Sequence, residues 1–191
     1  MISAQKNFDV LILGGGLAGL TMARQLLMKR PNIRVAILEK RKFPAQEAAH
    51  KVGESTVEIG AHYFGEELKL KKHLTDQQLP KFGLRFFFKD SFQSLAEGTE
   101  VGGSEFFSAP SYQVDRGRLE NFLAGAGTEM GATLIDGALI REISLDSSEG
   151  GTVDTRHEVT FHKEGTEHSV AARWIVDASG RASFLKQKLK Y

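Results

Sequence analysis

Two short apolar runs on either side of a glycine-rich turn constrain the fold of this chain more than any other feature. Residues 10–13 lead directly into Gly14-Gly15-Gly16-Leu17-Ala18-Gly19, and residues 35–38 end in Glu39. A strand, a glycine turn, a helix and a second strand closed by an acid form the dinucleotide-binding fingerprint. We therefore predict an α/β fold with a central parallel sheet.

Each glycine of the fingerprint has its own physical task. Gly14 allows the tight turn, Gly16 lets the backbone approach a pyrophosphate, and Gly19 lets the helix pack closely on the strand. The phosphates then lie on free amides at the helix N terminus. The carboxylate of Glu39 accepts hydrogen bonds from a ribose diol and would repel a 2′-phosphate. The remaining residues that we predict to contact the nucleotide here are Leu17, Ala18 and Lys40.

Composition limits the possible function classes. The 191 residues are enough for one large domain or most of one, and the formal net charge is +1. The sequence contains no long uncharged apolar stretch, and the run at Val10 is too short for a signal peptide, so we expect a cytoplasmic protein with no membrane partner. The near-neutral charge argues against nucleic acid as a partner.

The absence of cysteine removes several kinds of chemistry. With no cysteines, the chain has no disulfides, thiolate metal sites or thiol catalysis. The six histidines are scattered, and none has the i, i+4 spacing of a helical zinc pair, so we predict no metal site. Redox chemistry must then come from a bound cofactor.

The remaining elements follow from periodicity and turn residues. A helical pattern resumes at Val57, where Ser55 or Thr56 is the candidate N-cap. Phenylalanine-rich stretches at 84–88 and 105–114 predict an antiparallel section, and a helix follows Asp115. Further predicted elements are helices at 17–29 and 183–190 and strands at 133–135, 138–145, 158–162 and 168–176.

A second acid and glycine motif follows the last predicted strand. That strand ends in Asp177-Ala178-Ser179-Gly180-Arg181. The C-terminal tips of parallel strands are where a doubly wound sheet binds its ligand, so we predict nucleotide contacts from Asp177 and Gly180. The alternative is that Asp177 only caps the helix that follows.

Five stretches together indicate a family. They are residues 14–19, Glu39, Val52-Gly53-Glu54-Ser55, Asp115-Arg116 with Leu119, and residues 177–181. The chain resembles the flavin-dependent monooxygenases of the p-hydroxybenzoate hydroxylase type, and within that superfamily it is most similar to the flavin-dependent halogenases. The resemblance implies FAD as the cofactor and a Rossmann-like FAD-binding domain with an added antiparallel section. It implies that Gly53, Glu54 and Ser55 lie beside the flavin and that Arg116 lies close to FAD. The alternatives without a functional role are that Glu54 is a carboxylate that stabilises the start of a helix and that Arg116 is a surface residue of a helix.

Lys81 is the candidate catalytic residue. Lys81-Phe82-Gly83-Leu84-Arg85-Phe86 fits the K-x-G-x-x-F pattern of phenol and pyrrole halogenases. In those enzymes reduced FAD, oxygen and halide give hypohalous acid, and the lysine holds it by a hydrogen bond or as a haloamine. The alternative is a solvated lysine leading into an edge strand. The phenylalanines nearby, Phe86, Phe87, Phe88, Phe106 and Phe107, either line an aromatic pocket or pack in the core.

The resemblance therefore implies halogenation of a phenol, pyrrole or indole, with halide as a partner and reduced FAD supplied by a separate reductase. Two alternatives stay open: a FAD-dependent aromatic hydroxylase that uses NAD(P)H directly, and a non-catalytic FAD-binding fragment. We expect residues 1–191 to be the N-terminal portion of the FAD-binding domain of a longer enzyme, with an antiparallel insertion at about 82–114. Alone, this portion is not expected to be catalytically competent.

Overall fold

Strands and helices alternate along most of the chain. The computed structural model describes residues 7–88, 94–105, 109–146 and 156–191. The strands of these residues are β1 (Asn7–Leu13), β2 (Val35–Leu38), β3 (Leu79–Lys81), β4 (Arg85–Phe88), β5 (Thr99–Gly102), β6 (Ser111–Gln113), β7 (Thr133–Ile135), β8 (Leu139–Ser144), β9 (His157–Lys163) and β10 (Thr166–Asp177). The α-helices are α1 (Leu17–Lys29), α2 (Glu58–His62), α3 (Lys71–Gln77), α4 (Arg116–Glu129) and α5 (Phe184–Leu189), and a π-helical turn, Tyr63–Glu67, follows α2.

The chain divides into two compact units. One, called the sheet unit here, consists of Met1–Ala49 and Arg116–Tyr191. The other, called the insert unit, is His50–Asp115. Each unit carries some of the candidate functional residues.

The sheet unit is built on one sheet of six strands. Their order is β7-β2-β1-β10-β9-β8. The first four are mutually parallel, and β9 and β8 extend the sheet as antiparallel strands. Every residue of β2 is buried, as expected for a strand of a parallel sheet covered on both faces. The predicted α/β fold with a central parallel sheet is confirmed.

The register of β1 and β10 positions the candidate nucleotide site. These parallel strands pair directly, with Leu13 opposite Asp177. The amide of Ala178 donates to the carbonyl of Leu13 at 2.9 Å, so the pairing continues past the last strand residue. The two motifs recognised at opposite ends of the sequence therefore lie side by side at the carboxyl ends of β1 and β10.

The insert unit contains two small antiparallel sheets. Strand β3 pairs with β6, and β4 pairs with β5. Its buried leucines lie in and around the π-helical turn and α3; they are Leu68, Leu70 and Leu74. All four residues of β4 are exposed, and so are all four of β5. The antiparallel section predicted from the sequence is confirmed, but its aromatic strand is not part of a core.

Several local predictions were wrong. The strand expected over 105–114 is limited, among its described residues, to β6, and the partner of β4 is β5, which the sequence pattern did not indicate. Neither Ser55 nor Thr56 caps α2, because Val57 is the N-cap residue. The hydroxyl of Thr56 instead donates to the carbonyl of Tyr112 at 3.0 Å. Helix α3 was not predicted.

Among the residues that the structure describes, no helix combines the length and the apolar character needed to cross a membrane. These residues also contain no group of three or more potential metal ligands.

Candidate functional site

The glycine turn after β1 and the start of α1 are closed by contacts that leave no room for side chains at Gly14, Gly15 and Gly19. Gly14 has φ +111°, and a Cβ there would overlap the carbonyl oxygen of Ala178. A Cβ at Gly19 would overlap the carbonyl oxygen of Gly14, so the first turn of α1 lies directly on the glycine turn. The predicted tasks of Gly14 and Gly19, the tight turn and the close packing, are confirmed.

Gly16 differs from its neighbours because the space around it is open. A Cβ at this position would meet Nη2 of Arg116 at 3.9 Å, an ordinary contact distance. Gly16 is the N-cap residue of α1 and carries no capping side chain, and the first turn of α1 contains no acidic residue. The amides of Leu17 and Ala18 lie in that turn, where helical geometry provides no internal acceptor. The helix start can therefore receive an anion.

Glu39 is held by its own chain at the end of β2. Its side chain is buried, Oε2 accepts a hydrogen bond from the amide of Gly15 at 2.7 Å, and Oε1 accepts from the amide and Nε of Arg41 at 2.9 and 3.0 Å. Burial by itself would raise the pKa of this carboxyl, but the hydrogen bonds from Arg41 and Gly15 outweigh it and lower the pKa. Glu39 is ionised at neutral pH, and Oε2, which accepts one hydrogen bond, keeps a lone pair for a ribose hydroxyl.

Arg116 lies beside the same turn from the start of α4. Its Nη2 donates to Oε1 of Glu120, one helical turn later, at 2.6 Å. The other oxygen of Glu120, Oε2, is 3.6 Å from Nη2 of Arg41. Glu39, Arg41, Glu120 and Arg116 therefore form a row of alternating charge, which we call the charge row. The proximity of Glu39 and Glu120 raises the pKa of the Arg41 guanidinium, with the hydrogen bond to Glu39 as the largest cause.

The first turns of α4 are fixed to the segment that follows β2. A Cβ at Gly117 would overlap the carbonyl oxygen of Gln46, so the helix contacts that backbone directly. The side chain of Asn121 accepts from the amide of Ala45 at 2.6 Å and donates to its carbonyl at 2.9 Å. These contacts determine where α4 begins and hence where Arg116 lies.

The carboxylate of Asp177, at the C-terminal end of β10, accepts hydrogen bonds from backbone amides that follow it in the sequence. Oδ2 accepts a hydrogen bond from the amide of Leu185 in α5 at 2.8 Å, and Oδ1 accepts from the amide of Ser179 at 3.0 Å. The capping alternative is thus observed, and a nucleotide contact by Asp177 stays a prediction. Gly180 is exposed with φ +65°, and Lys40 is exposed at the end of β2.

Lys81 is anchored within the insert unit. Its Nζ donates to Oγ of Ser55 at 3.2 Å and to the carbonyl of Thr56 by a shorter bond. Strand β6 lies beside both Lys81 and Ser55, because Lys81 pairs with Ser111 and Ser55 forms an isolated bridge with Gln113. Lys81 and Ser55, two of the predicted site residues, are therefore in direct contact. The catalytic role of Lys81 stays a prediction.

The other predicted residues of the insert unit lie on the same segment. Gly53 has φ +87°, and the carbonyl of Glu54 accepts from the amide of Val114 at 2.7 Å. A cavity of about 480 Å³ opens beside β4, with Phe82 and Leu84 among its lining residues. The three phenylalanines of β4 are exposed, so their core alternative is wrong, and they do not line this cavity. Phe106 and Phe107 lie outside the described residues.

Two charged residues of the site escaped the sequence-based prediction. They are Arg41, which follows β2, and Glu120, in α4. The i, i+4 spacing of Arg116 and Glu120 was a usable signal, because such pairs face each other on a helix. The pairing of Arg41 with Glu120 had no such signal, since it joins residues far apart in the sequence.

The residues of the sheet unit fit a dinucleotide such as FAD. The open space at Gly16, the start of α1, the ionised carboxylate of Glu39 and the guanidinium of Arg116 provide groups for a pyrophosphate and a ribose. In the insert unit, Lys81 is the residue for which the motifs predict a role in chemistry.

Comparisons with known proteins identify the same cofactor class. A family model described as FAD dependent oxidoreductase matches residues 9–56. The sequence is 28% identical over 190 residues to the flavin-dependent halogenase chlA of Dictyostelium discoideum, and the match covers 92% of this chain and 32% of that protein. These findings bear out the FAD-dependent oxidoreductase class and the similarity to flavin-dependent halogenases that the motifs indicated.

Solved structures with the same fold include two halogenases. The myxobacterial chondrochloren halogenase CndH, a FAD-dependent halogenase, is 26% identical with a TM-score of 0.73, over 94% of this chain and 38% of that one. The halogenase PltM, solved with phloroglucinol and FAD, has a TM-score of 0.73 at 19% identity, over 96% of this chain and 36% of that one. The chain thus spans about a third of the length of each of these proteins.

Proposed function

We propose that this chain, a FAD-binding domain of the FAD-dependent oxidoreductase type, acts in the halogenation of an aromatic substrate. The observation that carries the proposal is the anchoring of Lys81. Its ammonium group is tied to Ser55 and Thr56, at the end of the stretch that resembles the flavin-side segment of halogenases. A separate flavin reductase would supply reduced FAD.

In the sheet unit, the proposed roles concern cofactor binding. The amides at the start of α1 and Arg116 receive the pyrophosphate, and Glu39 accepts hydrogen bonds from the ribose. We assign further contacts along the same edge to Gly14, Gly19, Lys40, Asp177 and Gly180. In the insert unit, we assign contacts with the flavin to Gly53, Glu54 and Ser55.

Lys81 has the proposed catalytic role. Bound FAD, once reduced, supplies the reaction with oxygen that oxidises the halide to hypohalous acid. The ammonium of Lys81 then holds that acid and increases its electrophilicity, so that an aromatic C–H becomes C–halogen and water is released. One well-placed donor of this kind is worth about 10²–10³ in rate. The cavity lined by Phe82, which follows Lys81 in the chain, supports an aromatic substrate.

The cofactor proposal is tested at Gly16. Because a Cβ there meets no atom closer than 3.9 Å, Gly16→Val should fold normally and yet fail to bind FAD, since the valine occupies the space of the pyrophosphate. FAD binding is measured by quenching of flavin fluorescence and folding by circular dichroism. Gly125→Ala, at a position of α4 with nothing within 4 Å, is the matched control. Stoichiometric FAD in the folded valine variant would contradict this site.

The halogenation proposal is tested by mass spectrometry of products. The protein encoded by the full open reading frame that contains this chain is incubated with FAD, a flavin reductase, NADH, oxygen, bromide and a panel of phenols, pyrroles and indoles. We expect a brominated product that Lys81→Met abolishes while flavin reoxidation continues. Lys72→Met, at an exposed lysine of the same unit, is the control and should leave bromination unchanged.

The other outcomes separate the alternatives. Unchanged bromination in Lys81→Met would remove Lys81 from the mechanism. An oxygenated product without bromine would favour the aromatic hydroxylase. FAD binding without any product across the panel would overturn the proposed activity and leave the FAD-binding domain.

A further inference from the structure

Glu120 is a fully buried carboxylate that faces two arginines, one with each oxygen. Its side chain has no exposed surface, Oε1 accepts from Arg116 at 2.6 Å, and Oε2 lies 3.6 Å from Arg41. A buried carboxylate is stable only when it is paired, because its desolvation is costly. The two guanidinium groups meet that requirement for Glu120, and the carboxylate in turn fixes the orientation of both groups.

The charge row ends at the candidate nucleotide site on both sides. At one end, Arg41 binds Glu39, whose other oxygen accepts from the amide of Gly15 in the glycine turn. At the other end, Arg116 lies against Gly16 in that turn. Glu120 is thus the internal member that connects a candidate ribose contact with a candidate pyrophosphate contact.

Attachment of α4 to its neighbouring segment does not by itself require Glu120. Gly117 already contacts the backbone of Gln46, and Asn121 makes two hydrogen bonds with Ala45. What Glu120 adds is the orientation of two long side chains, Arg41 and Arg116. A long cation that is already held in place loses less conformational freedom when its ligand binds.

We propose that Glu120 is a positioning residue for FAD: through Arg116 it fixes a cation beside the pyrophosphate, and through Arg41 it fixes Glu39 beside the ribose. Glu120 itself makes no contact with the cofactor. The inference rests on the FAD site proposed above and is independent of Lys81 and of the reaction.

The test compares two substitutions on α4 that each remove one negative charge. Glu120→Gln keeps the size of the side chain but cannot accept from both arginines, whereas Glu129→Gln changes an exposed residue at the end of the same helix. We expect Glu120→Gln to raise the Kd for FAD by about 10-fold or more, by analogy with the loss of affinity when the hydrogen-bond partners of metal ligands are removed. Glu129→Gln should stay within about twofold of wild type.

A second measurement separates positioning from a general structural role. The effect of Glu120→Gln on the Kd is measured again in an Arg116→Met background, in a double-mutant cycle. If Glu120 acts through Arg116, the two substitutions are strongly non-additive, and the remaining effect falls to about threefold or less. An undiminished effect in that background would overturn the proposal.

A conservative variant covers the case in which Glu120→Gln does not fold. Glu120→Asp keeps the charge but is one methylene shorter, so it cannot reach both arginines; we expect it to fold and to bind FAD about threefold to 10-fold more weakly. Wild-type affinity in folded Glu120→Asp would overturn the inference while leaving the FAD site intact. Failure of the wild-type protein to bind FAD would overturn both proposals.

Discussion

The sheet unit and the insert unit hold their candidate functional residues in different ways. In the sheet unit, the glycine turn, the buried Glu39 and the buried Glu120 are fixed by close backbone contacts and paired charges. In the insert unit, Lys81 is held by two hydrogen bonds, and the strand that follows it is exposed along its whole length. A cofactor site can be made rigid by its own packing, whereas the residue proposed to carry chemistry here is followed by an exposed strand.

The largest expected effect compares glycines of the two units. Gly19→Ala should cost about 3 kcal/mol or more in the free energy of unfolding, because the added methyl overlaps the carbonyl of Gly14 and the backbone must shift. Gly60→Ala, in α2 of the insert unit, has nothing within 4 Å and should stabilise by about 0.5–1 kcal/mol. Thermal unfolding followed by circular dichroism measures both. Equal effects of the two substitutions on the free energy of unfolding would mean that the packing around Gly19 does not differ from the packing around Gly60.

A second comparison uses phenylalanines. Phe161 in β9 is fully buried in the core of the sheet unit, whereas Phe88 in β4 is 60% exposed. Phe161→Ala should cost about 3–5 kcal/mol, and Phe88→Ala should change the stability by no more than about 0.5 kcal/mol. Chemical denaturation gives both values. A cost above about 2 kcal/mol at Phe88 would show that β4 is buried in solution.

The same contrast explains how much the sequence could predict. The bounds of α1 and β2 followed from local patterns, because glycine spacing and apolar runs directly determine a strand, a turn and a helix. The second motif was found because it repeats that arrangement at the other end of the chain. For this part of the fold, local sequence and tertiary structure agree.

The predictions that failed depend on contacts distant in sequence. The exposure of Phe86 and Phe88 cannot be read from their hydrophobicity, since burial depends on what packs against a strand. The pairing of Arg41 with Glu120 depends on how α4 lies against residues 41–47, which Gly117 and Asn121 determine. Nor could the anchoring of Lys81 by Ser55 be predicted, because no local pattern connects residues 26 positions apart.

The smallest expected effect compares exposed ion pairs. In the sheet unit, Arg34 donates to Asp9 from its backbone amide, Nε and Nη2, and these bonds lower the pKa of Asp9 to about 2. Asp9→Asn should lower the Tm by about 1–2 °C at pH 7, as expected for a surface pair. In the insert unit, Asp76 binds only a highly exposed Lys72 among the contacts described for it, and Asp76→Asn should leave the Tm unchanged.

The pH dependence identifies Asp9 as the source of that difference. Because the folded pKa of Asp9 lies below its ordinary value of 3.8, ionised Asp9 stabilises the fold above about pH 4. This contribution is lost as the pH falls from about 4 through about 2, and below that range the carboxyl is protonated in both the folded and the unfolded state. The Tm difference between wild type and Asp9→Asn should therefore shrink over that window, as measured by scanning calorimetry at low ionic strength. A difference that stays constant down to pH 2 would mean that the hydrogen-bond geometry of Asp9, rather than its charge, stabilises this end of β1.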